Sequence, residues 1–315
     1  METVLITGGT GMIGSALSEM LQKEGYSVII LTRKSTSQQP ATSSKHGNIK
    51  YAHWDVKKGT VDIDAIQQAD HIIHLAGAGV MEKKWADAFK KEIIESRTKS
   101  IGLIIDALEK NSNKIKTVVS ASATGWYKAH APGAEQIKHT EDESPDDSFL
   151  GETCRLWEQS VEPVTALQKR LVKLRVGIVL SHEGGALKEF EMPLKFGIAA
   201  ILGNGKQVVS WIHINDLCRA FIHALKNEQL AGSYNAVAPA PVTNRQLTLT
   251  FARKRNRRFY IPLPVPSFMI KLLLGGRSIE ILKSNNVSCE KIRRSGFEFL
   301  FTTIDAALED LCNKK

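Results

Sequence analysis

The sequence predicts an α/β fold: a doubly wound parallel sheet with a smaller, mostly helical lobe at its C-terminal end. Three observations predict it. A glycine-rich turn joins a first strand to a first helix within residues 4–14. Short apolar runs then alternate with helix-length segments as far as Val176, the pattern of right-handed β–α–β crossovers. Beyond Gly177 that alternation breaks, and residues 239–315 read as mostly helical.

The elements follow in order. Val4-Leu5-Ile6-Thr7 is a strand, and Gly8-Gly9-Thr10-Gly11-Met12-Ile13-Gly14 turns into a helix. Gly8 permits the tight turn, Gly11 lets the backbone approach a pyrophosphate, and Gly14 allows close packing of the helix. The helix N-terminus adds free N–H groups and the positive end of its dipole. The second strand ends in Thr32, Arg33 and Lys34, where a carboxylate would take the ribose hydroxyls of NAD. An arginine there accommodates a 2′-phosphate, so NADP(H) is the preferred cofactor and NAD(H) the second choice. The plainer alternative makes Arg33 an ordinary exposed cation.

Residues 38–47 form a Ser/Thr/Pro-rich loop, 49–53 a short strand leading to Trp54 and Asp55, and 62–68 a short helix. Residues 71–75 are a buried parallel strand, apolar on both faces apart from its histidines. It runs into Ala76-Gly77-Ala78-Gly79, small residues that admit a ligand close to the backbone. A helix is expected over about 82–111, a strand over 116–122, a helix over 149–169 and a strand over 170–176. Glycine-rich loops at 182–187 and 201–206 flank a further helix, and 208–211 and 233–237 are expected to return to the sheet as short strands. The expected domains are a dinucleotide-binding unit over 1–238, with a substrate-side insertion at 177–205, and a small lobe over 239–315. The two interleave without a linker, and the cleft between them is the default small-molecule site.

Composition narrows the function classes. The chain has 315 residues, 43% of them hydrophobic, which suits a soluble globular protein. It contains no apolar run of ~18 residues, so no membrane span is expected. It enters a strand at once, which reads as no signal peptide. The four cysteines show neither metal nor redox spacing and read as reduced thiols in a cytoplasmic protein. The net charge is +9, but the densest basic run, 253–258, ends a helix, where solvated cations are favourable. No aromatic-rich or recognition-helix pattern accompanies it, so nucleic acid is not an expected partner. The nine histidines lack metal spacing, and no metal is expected.

Several stretches carry a family resemblance. They are residues 7–14, His74-Leu75-Ala76-Gly77, Trp85 with residues 91–97, Ser120-Ala121-Ser122-Ala123-Thr124-Gly125, Phe149-Leu150 through Trp157-Glu158, and residues 210–216. With them the chain resembles the extended and atypical short-chain dehydrogenase/reductases, the NAD-dependent epimerases and dehydratases, and more closely their "epimerase family" subgroup. The tail from Ile261-Pro262-Leu263-Pro264 to Gly296-Phe297 resembles that subgroup's small C-terminal module. The resemblance implies a Rossmann-type fold. The expected cofactor contacts are Gly8, Thr10, Gly11, Met12, Ile13, Gly14, Thr32, Arg33, Lys34, Asp55 (beside the adenine amine), Leu75, Ala76 and Gly77. It also implies that the helices over 82–111 and 149–169 can pair in a homodimer.

One departure matters. Active members of the superfamily use Tyr-x-x-x-Lys, in which the lysine fixes the ribose and lowers the tyrosine pKa while the tyrosine moves a proton. Tyr26, Tyr51, Tyr127, Tyr234 and Tyr260 are followed four residues on by Ile30, Asp55, Ala131, Ala238 and Pro264. In the expected helix the pair becomes Phe149 with Thr153, or Leu150 with Cys154. The candidate catalytic residues are therefore Ser122, which resembles the superfamily's substrate-binding serine, and Tyr127 as proton donor beside Lys128. The competing readings have Ser122 capping a turn and Tyr127 packing on Trp126. Arg97 is either a solvated helix cation or a cofactor-side group. Arg175 is either ligand-facing or in a structural salt bridge, and Asp216 stabilises a helix N-terminus. The leading expectation is an oxidoreductase or epimerase-like enzyme acting on a small polar substrate. The rival is a catalytically silent NADP(H)-binding sensor or partner-binding protein.

Overall fold

A computed structural model describes residues 1–33, 49–131, 133–255 and 259–313. Strand β1 (Thr3–Thr7) leads through the glycine turn to helix α1 (Met12–Lys23), then β2 (Ser27–Thr32), β3 (Ile49–Asp55) and β4 (Thr60–Val61). Helix α2 (Ile63–Gln68), β5 (His71–His74), α3 (Asp87–Lys110), β6 (Thr117–Ala123), α4 (Phe149–Val161), α5 (Pro163–Ala166) and β7 (Arg170–Val176) follow. Next come β8 (Ile178–Ser181), β9 (Gly184–Gly185), α6 (Ala186–Leu194), β10 (Ile198–Leu202), β11 (Val208–Val209), β12 (Trp211–His213), α7 (Ile214–Lys226) and β13 (Gly232–Ala236). The last stretch holds β14 (Val242–Thr243), α8 (Asn244–Arg255), β15 (Ile261–Val265), α9 (Ser267–Leu274), α10 (Ser278–Leu282), α11 (Glu290–Arg294) and α12 (Ile304–Asn313).

The main sheet has the order β13-β7-β6-β5-β1-β2-β3-β4, parallel except for the β3–β4 hairpin. The chain leaves β1 toward β3, then returns to β5 and continues outward the other way. The order therefore reverses between β1 and β5, the switch point where such sheets open a crevice at the C-terminal ends of their strands.

The strands are buried on both faces, which is why they read as continuous apolar runs. Val4, Ile6, Ile73, Val119, Val172 and Leu174 point to one face, where they meet Leu17 and Leu21 of α1 and Phe221 and Leu225 of α7. Leu5, Ile72, Val118 and Leu171 point to the other, against Ile66 of α2 and Ile101, Ile104 and Ile105 of α3. Leu17 and Leu21 stand one turn apart and are fully buried, worth about 1.5–3 kcal/mol each in transfer free energy. Small sheets attach the C-terminal third: β15 pairs with β10 and β14 with β11, while β12, β8 and β9 form a three-stranded sheet in that order.

Several sequence expectations are corrected. The helix expected over 149–169 is two, because Pro163 at the start of α5 has no N–H to continue the α4 ladder. Residues 208–211 do not return to the main sheet: β11 pairs with β14 and β12 with β8, and only β13 joins it, beside β7. The helix expected from 82 begins at Asp87, since residues 80–86 form a loop held by the Trp85 indole N–H donating to the Val80 carbonyl at 2.7 Å. Ile201 and Leu202, read as loop, complete β10. Lys34, the 38–47 loop and positions 256–258 of the basic run lie outside the described residues. Among the described residues no helix is long and apolar enough to cross a membrane, and no group of three or more His, Cys, Asp or Glu is placed to hold a metal.

Candidate functional site

The glycine turn sits at the switch point. Gly8 has φ +70°, the left-handed conformation that side chains disfavour, and a Cβ there would stand 2.9 Å from the Leu75 carbonyl. A Cβ on Gly14 would stand 2.4 Å from the Gly8 carbonyl oxygen, so Gly14 lets α1 close on the turn itself rather than on the strand. A Cβ on Gly11 would meet only the Gly8 carbonyl oxygen, at 3.4 Å. Gly11 is the N-cap of α1, and no side chain accepts from the first-turn amides, nor is there an acidic residue in that turn. Other helices here are capped by side chains: α2 by Asp62, α4 by Ser148 and α7 by His213. The uncapped, glycine-lined N-terminus fits a diphosphate, which would accept from those amides.

Sequence reasoning missed what holds the turn in place. The Thr7 hydroxyl is 2.8 Å from His74 Nδ1, and its oxygen accepts from the Leu75 and Ala76 amides, both at 3.2 Å. His74 Nε2 lies 3.3 Å from the Ser100 hydroxyl. This ties the end of β1 to the end of β5 where their loops diverge. Burial pushes the His74 pKa down to about 4, the neighbouring Arg97 charge adding to it, so the ring is neutral near pH 7. The recoverable signal was a polar Thr7 and His74 ending two runs that are otherwise apolar.

Across β1, Thr32 is buried at the end of β2 and Arg33 follows it, exposed. Asp55 ends β3, where its Oδ1 accepts from the Lys57 and Lys58 amides at 2.9 and 3.2 Å. Thr10 and Gly11 are exposed, and Met12, Ile13, Leu75 and Ala76 are half-buried, with Gly77 exposed beyond them. The structure thus brings the turn, the end of β2 and the loop after β5 to one edge of the sheet.

The two expected catalytic residues are both engaged inside the protein. Ser122 is buried, and its hydroxyl donates to Glu158 Oε1 at 2.7 Å. Tyr127 is fully buried, and its hydroxyl donates to Asn235 Oδ1 at 2.6 Å while accepting from Arg175 Nη1 at 3.1 Å. Burial pushes the Tyr127 pKa well up despite Arg175 beside it. Both hydroxyls are thus committed to protein partners, which favours the structural reading of each residue. Both belong to one network around Glu158, which also accepts from Arg175 Nε at 2.8 Å and from Ser233 at 3.1 Å. Burial alone would raise the Glu158 carboxyl; the hydrogen bonds and charge of Arg175, with Ser122 and Lys173, hold it below the ordinary carboxylate range. Arg175 is thus the structural ion pair of the two readings, its guanidinium stacked 3.8 Å over Trp126. Asp216 is likewise structural: it accepts from the Leu300 and Phe301 amides at 2.9 Å, pinning the chain after α11 to α7.

On α4, Leu150 is buried and the Cys154 thiol donates to the Ala123 carbonyl at 3.6 Å. Burial pushes that thiol up to about 12, so it stays protonated and unreactive near neutral pH. The C-terminal segment closes on this region: Arg277 donates to the Met81 carbonyl at 2.8 Å and Asn285 to the Thr124 carbonyl at 2.8 Å. Two open cavities lie elsewhere. One of ≈ 290 Å³ is lined by Met20, Arg219 and Phe297, and one of ≈ 580 Å³ by Glu2, His71 and Arg170 at the N-terminal edge of the sheet. That is the opposite edge from the one where ligands bind in such sheets.

Residues 4–152 match the model of the NAD dependent epimerase/dehydratase family, and residues 265–311 match a domain of unknown function. An epimerase family protein of Staphylococcus aureus is 34% identical over 316 residues, with all of both chains covered. One from Mycobacterium leprae is 32% identical over 306 residues, covering 97% of this chain and 94% of that protein. Among solved structures, human epimerase family protein SDR39U1 (isoform 2) with NADPH superposes with a TM-score of 0.84 at 28% identity, covering 99% of this chain and 100% of that one.

Proposed function

The chain belongs to the epimerase family, and from that premise we propose that it binds NADP(H) in the glycine turn and acts in hydride chemistry on a small polar substrate. The observation that carries this is the uncapped N-terminus of α1 at the switch point, with Arg33 one strand away. The first-turn amides of α1 would hold the diphosphate, and Gly11 would leave the room it needs. Arg33 would pair with the 2′-phosphate, since a guanidinium matches a phosphate with two parallel hydrogen bonds. Asp55 would face the adenine end, and Leu75, Ala76 and Gly77 the other half. The NADPH held by the human relative supports the same choice of cofactor. When bound, the nicotinamide supplies or takes up the hydride; the chain's part is binding, orientation and exclusion of water.

Titration of the purified protein with NADPH and NADH, read by energy transfer from tryptophan, tests the reading. NADPH binding at least about tenfold tighter than NADH is expected, a difference of about 1.4 kcal/mol. Equal affinities would remove the 2′-phosphate assignment, and no binding of either would remove the cofactor. A second reading, a catalytically silent NADP(H)-binding protein, is favoured by the sealed hydroxyls of Ser122 and Tyr127. Stoichiometric binding without turnover across a panel of carbonyl and sugar substrates is its signature.

A further inference from the structure

Arg97 is a buried cation that makes no ion-pair contact among the described residues, Glu82 acting on its charge only from a longer distance. It projects from α3 and is 9% exposed, and no described carboxylate lies within ion-pair distance of it. Its Nη1 donates to the Ile93 carbonyl at 2.9 Å and the Ala78 carbonyl at 3.1 Å. Nε and Nη2 have no acceptor among the described residues. Removing a guanidinium from water costs several kcal/mol, and two carbonyls on one nitrogen answer only part of that. The surroundings are shaped to keep it. Its Cζ stands 4.8 Å from the Trp157 ring centroid, and a Cβ on Gly77 would come within 3.0 Å of Cζ. The loop after β5 is thus pressed onto the guanidinium, and a side chain at 77 would push the two apart by a few tenths of an ångström.

Trp157 lies three residues after Cys154 on α4, so the guanidinium stands against the turn of α4 that the Leu150–Cys154 register would give to a dyad lysine. Position 154 itself carries no cation, and Arg155 beside it is committed to Glu152 and Gln159. Resting on the dinucleotide reading above, we propose that Arg97 holds the cis-diol of the nicotinamide-side ribose, supplying from α3 the cation that position 154 of α4 lacks. A guanidinium edge offers two parallel donors, which suits two adjacent oxygens. Because it does not deprotonate in proteins, it binds and orients without moving a proton.

Two probes separate the halves of the cofactor: NADPH, and adenosine 2′,5′-bisphosphate, which lacks the nicotinamide ribose. Arg97→Met removes an unpaired buried charge at similar volume and is expected to leave the melting temperature unchanged or raised. It should weaken NADPH tenfold or more and leave the bisphosphate within twofold, and Arg97→Gln should do the same. Unchanged NADPH affinity overturns the proposal, as does equal weakening of both probes. Unfolding of both variants assigns Arg97 to holding the 76–80 loop and overturns it too. If the wild-type chain binds neither probe, the cofactor reading itself has failed, a result distinct from all of these.

Discussion

Glu158→Gln should destabilise the protein sharply while sparing cofactor affinity. Glu158 is 5% exposed and Arg175 3%, and the carboxylate accepts four hydrogen bonds: from Ser122 at 2.7 Å, Arg175 at 2.8 and 3.1 Å, and Ser233 at 3.1 Å. Glutamine keeps the shape but presents an N–H₂ where one oxygen stood, so a donor faces a donor and the Arg175 charge is left buried and uncompensated. Breaking one side of such a pair costs about 3–5 kcal/mol. At roughly 2 °C per kcal/mol for a chain of this size, the melting temperature should fall by about 6–10 °C. The assay is thermal unfolding beside an NADPH titration, in which affinity should stay within about threefold. The loss should be smaller in Glu158→Met/Arg175→Met than in Glu158→Gln, because the double variant leaves no orphaned charge. The pH dependence has a fixed sign. The folded-state Glu158 pKa is lowered, so its contribution is complete above the unfolded carboxylate value of about 4.3 and is lost as pH falls below it. The gap between wild type and Glu158→Gln should close in strong acid. A melting temperature within about 2 °C of wild type, or a collapse of NADPH affinity in a stable variant, would refute the assignment of this network to structure.

Arg33→Ala should weaken NADPH by about 10–100-fold and NADH by less than about threefold, the difference being one charge-assisted phosphate pair; matched losses in fluorescence titrations would contradict it. Gly11→Val should abolish binding with the melting temperature intact, since a Cβ there meets only the Gly8 carbonyl oxygen at 3.4 Å. Gly14→Ala should instead unfold at lower temperature, its Cβ falling 2.4 Å from that same oxygen; reversed outcomes in paired melting and binding curves would invert the roles of these glycines. His74, with its pKa pushed down to about 4, contributes stability that is complete above its unfolded value near 6.5 and is lost as pH falls through about 4. From pH 6.5 to 5 that loss is about 1.5 kcal/mol, and His74→Asn should lack it in urea unfolding at the two pH values.

The parallel half of the fold was legible because its signals are local. Strand β7 falls on the expected residues 170–176, and Asp62 caps the helix expected from that position, since apolar runs and caps are properties of neighbouring residues. The short strands that attach the C-terminal third were not legible. Val208–Val209 and Ile261–Val265 owe their pairing to partners 33–35 and 63 residues away, at Val242–Thr243 and Ile198–Leu202, which no local period encodes.

The same division runs through the site. The sequence by itself determined the glycine turn, the missing Tyr-x-x-x-Lys pair and the cation after β2, because each is a matter of residue type at fixed spacing along the chain. Only the tertiary structure decided which polar side chains face the crevice. Ser122 and Tyr127 end a strand and follow it, as ligand-facing residues do, yet both turn inward to partners 36 and 108 residues away. For Arg97 the sequence left open a solvated helix cation or a cofactor-side group, and only packing shows it buried beside Gly77 and Trp157. Burial and orientation are set by packing between distant segments, and for hydroxyls and guanidinium groups they separate a structural bond from a free one.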